Sequence, residues 1–349
     1  MNCNKLIKKK KILLLGGDYY GYKKSIARAF ERNGCLVESV DISYVFRPAF
    51  SYLGLQDRAI AYFLKKGKEL QKKLQLDYNN RIKNTVQEYK PDLIFVISDG
   101  EILDNTAVEL NSCPVFVWMT DTVQKIQVDR KLEIFKRADK IFTFERSDID
   151  YIESYFGQKG KFLPMAMDDE IFFPQFRMGK EIDLSFIGYL YPERKEMLEQ
   201  LSSRFKDKVV KIYNYHYNKY KRPFYHLLRK NKNVFINRAI WPNEANIIYN
   251  NSKICLNIHH KQNSYGVNPR FFEICGSGGF QLVDSNLFII ENFSSDEIMI
   301  YKDLNDLVNK IDLVFSGEID VVGMSQKAYK KVLNNHTFLH RIREVLLLI

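Results

Sequence analysis

The residues best suited to chemistry lie between positions 263 and 283, NSYGVNPRFFEICGSGGFQLV. Asn268-Pro269 fits a helix start, because proline is tolerated in the first turn. Arg270 and Glu273, three apart, then share one face of that turn. A helix N-terminus beside an arginine suits a diphosphate. A carboxylate close by can accept the two hydroxyls of a ribose, as the acidic residue does in dinucleotide sites. Gly276, Gly278 and Gly279 allow close backbone approach at the far end. A plainer reading competes: a capped helix in which Glu273 complements the dipole and Arg270 pairs with it. On these residues alone the two stand level.

The flanking pattern says what must position them. Residues 11–16 (KILLLG) read as a buried strand, followed by the Gly/aromatic loop Gly17–Gly21. A helix follows, about Ser25–Arg32, stopped by Asn33-Gly34. Residues 35–41 (CLVESVD) alternate like a second strand. Strand, loop, helix and strand in that order imply a doubly wound α/β domain with a ligand crevice at the strand's carboxyl end. Residues 57–90 read as a long, basic, amphipathic helical region ending before Pro91. Three further strands are expected at Leu93–Ser98, Val115–Met119 and Lys140–Phe144. Their unbroken apolar runs favour a parallel sheet covered on both faces. The pattern resets between about 160 and 180, where the interdomain linker is placed. A second series of strands and helices then starts at Asp183–Gly188. The expected division is 1–167, 168–323, and a closing helix at 324–349 that packs back on the first domain.

Composition limits the classes. The chain has 349 residues, 46% hydrophobic and 27% charged, a globular balance that excludes a disordered or collagen-like chain. No apolar run approaches the roughly 18–20 residues of a membrane span, and the N-terminal apolar segment is too short for a signal peptide. These features predict a cytoplasmic protein. Five cysteines, an odd number without a CxxC pair, argue against a disulfide framework and a zinc site. Charge is uneven: residues 1–90 carry a net +11 and residues 204–238 a net +10. Such zones suit phosphates, an anionic membrane surface or nucleic acid. The second zone interleaves Tyr213, Tyr215, Tyr217, Tyr220, Phe224 and Tyr225 with its cations. That mixture occurs in nucleic-acid grooves and at anionic membranes, but also on ordinary surfaces. No DNA- or RNA-binding motif accompanies it.

The stretch at 263–283 resembles the donor-site signature of GT-B glycosyltransferases, specifically the CgeB-like (spore maturation protein) group. The matching residues are Gly266, Asn268, Arg270, Glu273 and Gly278-Gly279. Ser185–Gly188 followed by Arg194, Leu256–His259, Glu291–Phe293, Tyr301–Leu304, and His336–Phe338 with Arg341 match in order around it. Pro91–Ile94, Trp118 with Asp121, and Leu163–Met165 fit more loosely, so the likeness covers about 180–345 well. It implies two Rossmann-like domains facing each other across a cleft, the first for the acceptor and the second for the donor. It further implies that Glu273 holds the ribose of a nucleotide-diphosphate sugar, a UDP-sugar first among candidates. Arg194 and Arg270 would neutralise the diphosphate as it leaves, with His259 reaching the sugar or phosphate. Gly188 would admit the phosphates to the backbone and Gly17 would face them from the first domain. The nucleobase would lie near Arg238, Ala239 and Ile240. The resemblance implies no metal and no cofactor beyond the donor itself. The acceptor would be a cell-surface glycan, glycolipid or glycoprotein, with room for peripheral contact at the inner face of an anionic membrane.

One position departs from the pattern. Many retaining GT-B enzymes carry an acid eight residues before the ribose glutamate; here it is Tyr265. The donor sugar and the stereochemistry therefore do not follow by analogy. An inverting reaction needs a general base in the first domain. Asp121 is the first candidate, with Asp99 and Asp18 behind it and Tyr20 also on the acceptor side; each aspartate could equally cap a loop or helix. The alternative to an enzyme is a catalytically silent module of the same fold serving surface-layer or spore-coat assembly. A dehydrogenase is disfavoured, since GGDYYG lacks the GxGxxG spacing.

Overall fold

The computed structural model describes residues 9–18, 20–42, 67–123, 132–157, 159–175, 179–214, 235–260 and 264–349. Tyr215, Tyr217, Tyr220, Phe224 and Tyr225 of the second basic zone, and the first third of the expected helical region 57–90, lie outside these residues. Two compact units emerge: Met1–Pro164 with Leu339–Ile349, and Met165–Phe338.

The first unit runs β1 (Lys11–Gly16), α1 (Tyr22–Arg32), β2 (Leu36–Asp41), α2 (Gly67–Tyr89), β3 (Leu93–Ile97), α3 (Asp104–Glu109), β4 (Val115–Met119), α4 (Leu132–Arg137), β5 (Lys140–Thr143), α5 (Asp148–Phe156) and β6 (Gly160–Phe162). All strands pair in parallel, in the order β2-β1-β3-β4-β5-β6. Every residue of β3 and β4 is buried, which explains their unbroken apolar sequence: both sheet faces are covered. The strand order reverses between β1 and β3, and that switch point is where open α/β sheets bind ligands. The backbone there is unusual. Gly16 has φ +117°, and a Cβ on it would stand 2.8 Å from the Ile97 carbonyl oxygen. Ser98, Gly100 and Glu101 follow β3 with φ of +57°, +59° and +55°. Two neighbours on α2 brace these turns. The buried Tyr78 hydroxyl accepts from the Gly16 amide at 3.3 Å, and Asn79 bonds both Glu101 O and the Leu103 amide.

The second unit runs β7 (Ile182–Ile187), α6 (Pro192–Arg204), β8 (Val210–Asn214), β9 (Phe235–Asn237), α7 (Pro242–Asn250), β10 (Ser252–Asn257), α8 (Pro269–Gly276), β11 (Gln281–Asp284), α9 (Leu287–Asn292), β12 (Met299–Tyr301), α10 (Leu304–Ser316) and α11 (Val321–Asn335). Its parallel order is β12-β11-β10-β7-β8-β9, the doubly wound arrangement with its switch point between β7 and β10. Helices α6, α7 and α8 each begin with proline at the first turn, where the missing N–H leaves no helical bond unmade.

The chain closes differently from expectation. In place of one helix from 324, α11 ends at Asn335 and α12 (Phe338–Leu346) follows. The break has a physical cause. Met167 pairs with Thr337 as a parallel bridge, taking the His336 carbonyl at 3.1 Å and the Phe338 amide at 3.0 Å. Those groups cannot also serve a helix. The His336 ring sits among Phe272, Phe288 and Phe293, and α11 packs on α8 of the same unit. Residues from Leu339 belong to the first unit, where Arg341, buried, donates to Pro164 O at 2.8 Å. No helix among the described residues is long and apolar enough to cross a membrane.

Candidate functional site

The carboxyl edge of the second sheet gathers most of the donor-side residues. Gly188 follows β7, Arg194 sits in the first turn of α6, His259 follows β10, and Asn268, Arg270 and Glu273 open α8. These are the loops and helix starts that flank the switch point.

Arg194 is buried at 6% exposure. Its Nη1 donates to the Tyr189 carbonyl at 3.1 Å, and the guanidinium lies over the Tyr191 ring at 5.0 Å. Burial pushes its pKa down to about 10, and the charge of Arg270 pushes the same way. No carboxylate pairs with Arg194 among the described residues. Arg270, half-buried, makes no hydrogen bond or ion pair among them. The plainer reading, in which Arg270 pairs with Glu273, is therefore not what this structure adopts. Glu273 is buried; burial holds the enclosed Tyr249 phenol well above its usual pKa, and the Glu273 charge adds to this.

Asn268 leads α8 from an extended backbone. Its Nδ2 donates to Asn257 Oδ1 at 2.9 Å, and Gln281 bonds back to the Phe271 carbonyl. The start of the helix is thus tied to the ends of two strands. His259 is tied as well. Its backbone amide donates to both oxygens of Asp284 at 3.0 and 2.9 Å, and its Nδ1 stands 2.6 Å from Oδ1. Three enclosed polar atoms here make no hydrogen bond among the described residues: His259 Nε2, Asn268 Oδ1 and the Tyr301 hydroxyl. Native interiors leave few such atoms unmet.

Several expected residues are not brought to this place. Gly278 and Gly279 end an eight-residue helix, about 12 Å from its start, at the amino edge of the sheet. Gly278 has φ +68° and turns the chain, and a Cβ on Gly279 would press on Ile274 and Cys255. Their role is the helix stop. Gly188 is at the carboxyl edge, but its amide donates to Tyr213 O at 3.0 Å, and a Cβ would meet the Phe186 ring at 2.8 Å. Its amide is thus spent on the sheet. At the proposed nucleobase loop, Arg238 forms a two-pronged ion pair with Glu244 and lies over Tyr213, Ala239 is half-buried and Ile240 is buried. Tyr265, in place of the acid, donates to Glu291 Oε2 at 2.6 Å, so a carboxylate still reaches this loop from α9.

In the first unit, Gly17, Asp18 and Tyr20 follow β1, Asp99 follows β3 and Asp121 follows β4, all on one carboxyl edge. Asp18 accepts from the Lys23 amide, Asp99 from Glu101 and Asp121 from Thr122. Asp121 is exposed, Asp18 and Asp99 half-buried. Tyr20 is exposed with φ +51°. Sequence reasoning did not bring Asp284 to the site, and named Tyr301 only within the matching segment Tyr301–Leu304. Each closes a strand of three or four residues, and the only local signal was a polar residue at a strand's carboxyl end.

The fold is that of the GT-B glycosyltransferases, two parallel six-stranded Rossmann-like sheets, and residues 194–347, most of the second unit and the closing helix α12, match the family model described as glycosyl transferase-like. Spore protein CgeB of Bacillus subtilis (strain 168) is 24% identical over 271 residues, spanning 72% of this chain and 81% of that protein. The resemblance to the CgeB-like group therefore stands. Among solved structures, a glycosyltransferase from Rickettsia africae ESF-5 has TM-score 0.64 at 10% identity, covering 98% of each chain. Anabaena Alr3699/HepE in complex with UDP and glucose has TM-score 0.63 at 12% identity, covering 98% of this chain and 100% of that one.

Proposed function

We propose that the chain moves a sugar from a nucleotide-diphosphate donor, a UDP-sugar first, to a glycan, glycolipid or glycoprotein acceptor. One observation carries this reading. Arg194 and Arg270 bring two cations to the switch point of the second sheet with no protein carboxylate paired to them among the described residues. Desolvated charge is kept only where something compensates it, and a diphosphate at the start of α8 does so. Negative charge grows on that diphosphate as the sugar leaves, so fixed cations there favour the transition state without a metal. Glu273 is the ribose acceptor of this reading. The complex of Anabaena Alr3699/HepE with UDP and glucose supports a uridine donor. The first unit receives the acceptor, with Asp121 as base if the reaction inverts. The basic excess of residues 1–90 suits an acceptor carried on an anionic surface.

The test is a thermal-shift panel of UDP, GDP, dTDP, CDP and ADP, with and without EDTA. Ligand at about 100 Kd should stabilise by ~2.7 kcal/mol. One diphosphate should stabilise in EDTA, and the effect should vanish in Glu273→Ala. Silence toward every nucleotide would favour the non-catalytic assembly module instead.

A further inference from the structure

We propose that His259 and Asp284 act as a pair on the departing diphosphate, His259 through Nε2 and Asp284 by holding the ring. This inference rests on the donor-site reading above and deepens it. The pair is built from both sides. A carboxylate that only capped the chain would need the His259 amide alone; Asp284 takes that amide and the ring Nδ1 as well. Beside a carboxylate, Nδ1 is the donor, so Nε2 is the nitrogen left for chemistry. The His259 side chain is only 4% exposed, yet Nε2 has no partner among the described residues. A buried ring held by Asp284 through Nδ1, with its backbone tied to the same carboxylate and its Nε2 unmet, points to a ligand.

The surroundings suit an anion. Arg194, with Tyr191 beside it, approaches from α6, Arg270 from α8, Asp284 from β11 and Tyr301 from β12. Arg270, Tyr191, Asp284 and Tyr301 all lie within electrostatic reach of Arg194, and Asp284 within reach of Tyr301. The transfer step then balances as follows. The bond from the anomeric carbon to the β-phosphate oxygen breaks, and its electron pair stays on that oxygen. The acceptor oxygen bonds to the anomeric carbon and gives its proton to a base. The imidazolium Nε2–H passes its proton to the β-phosphate. The ring is left neutral with Nδ1–H still on Asp284, and solvent restores the proton after the product departs. Asp284 is a positioning residue, because it acts only through the ring.

A bound dianion favours the charged imidazole, so binding should take up protons. The full-length protein is titrated calorimetrically with UDP, and with the other nucleoside diphosphates, between pH 6 and 8 in buffers of differing ionisation enthalpy. Wild type should take up protons on binding, more than either variant does. His259→Gln should bind without that uptake, and Asp284→Asn should lose most of it. In turnover, His259→Gln should lower kcat by about 10²–10⁴ with donor KM within a few-fold. Nucleotide binding with undiminished proton uptake in His259→Gln would overturn the pair and leave the donor site standing. No nucleotide binding by wild type would overturn the donor site itself. Ring ¹⁵N spectra of the unliganded protein give an independent check that needs neither ligand nor variant. They should report the Nδ1–H tautomer for His259, and the opposite tautomer would refute the pair.

Discussion

Replacing Tyr301 by phenylalanine should make the protein more stable and a poorer nucleotide binder at once. Tyr301 closes β12 at 2% exposure, and its hydroxyl has no partner among the described residues. Burial lifts its phenol well above the usual range, Asp284 adds to this and Arg194 opposes it, so it stays a neutral donor at working pH. An enclosed hydroxyl without a partner costs about 1–3 kcal/mol. Deleting one oxygen while keeping the ring should return about 1 kcal/mol of that, or ~2–4 °C in Tm for a domain of this size. A hydrogen bond to a charged phosphate is worth about 1.5–3 kcal/mol, so affinity for the bound diphosphate should fall roughly tenfold or more. Urea and thermal melts of the free protein measure the first effect, calorimetric titration with UDP the second. A variant that melts lower and binds UDP unchanged would refute the reasoning, because the hydroxyl would then serve the fold.

Further outcomes follow from the first unit. Asp148 is buried, accepting from the Val123 amide at 2.9 Å and the Thr143 hydroxyl at 3.1 Å; burial raises its pKa against those bonds. A raised carboxyl stabilises the fold below its unfolded value of about 3.9 and loses that as pH climbs through the folded value. Wild type should therefore gain stability relative to Asp148→Asn as pH falls from 7 toward 4, and urea midpoints that run parallel would refute this. Gly16→Ala puts a Cβ 2.8 Å from a backbone oxygen at φ +117° and should cost about 2 kcal/mol or more; a loss under ~0.5 kcal/mol by urea melt would contradict the stated clash. Asp121→Asn should lower kcat by about 10²–10⁴ with donor KM little changed. If Asp18→Asn or Asp99→Asn does so instead, the base lies at the β1/β3 switch point.

What was legible in the sequence was local. LIFVI and VFVWM read as strands because both faces are covered, and Asn268-Pro269 marked a helix because its chemistry lies within one turn. The placement of Arg194, Arg270 and Glu273 at one carboxyl edge was legible for the same reason: each stands in the first turn or two of a helix that follows a clear strand. The misreadings are non-local. Gly278 and Gly279 looked like neighbours of Arg270 in sequence, but the helix between them carries them to the opposite sheet edge. The expected closing helix is broken by Met167, far upstream. Asp284 and Tyr301 matter only because β10, β11 and β12 lie side by side, and strands this short carry no periodicity to announce it.

The two carboxyl edges differ in what they leave unmet, and the difference argues for a division of labour. The carboxyl edge of the second unit holds two arginines without carboxylate partners and, among its enclosed polar atoms without hydrogen bonds, His259 Nε2, Asn268 Oδ1 and the Tyr301 hydroxyl. The first holds three aspartates whose oxygens already serve nearby amides, Asp99 among them on the left-handed turn after β3. Stability alone explains neither arrangement. A buried charge without a partner costs the fold several kcal/mol, and a satisfied core needs no positive φ at Ser98 or Glu101. Anion binding explains the first pattern: the cost of burying Arg194 falls when a diphosphate supplies the missing charge. Backbone strain persists where surrounding structure over-determines it, and Tyr78 and Asn79 on α2 do that work. On the proposed reading the cations mark the unit that holds the leaving group. The carboxylates mark the unit from which a proton can be taken.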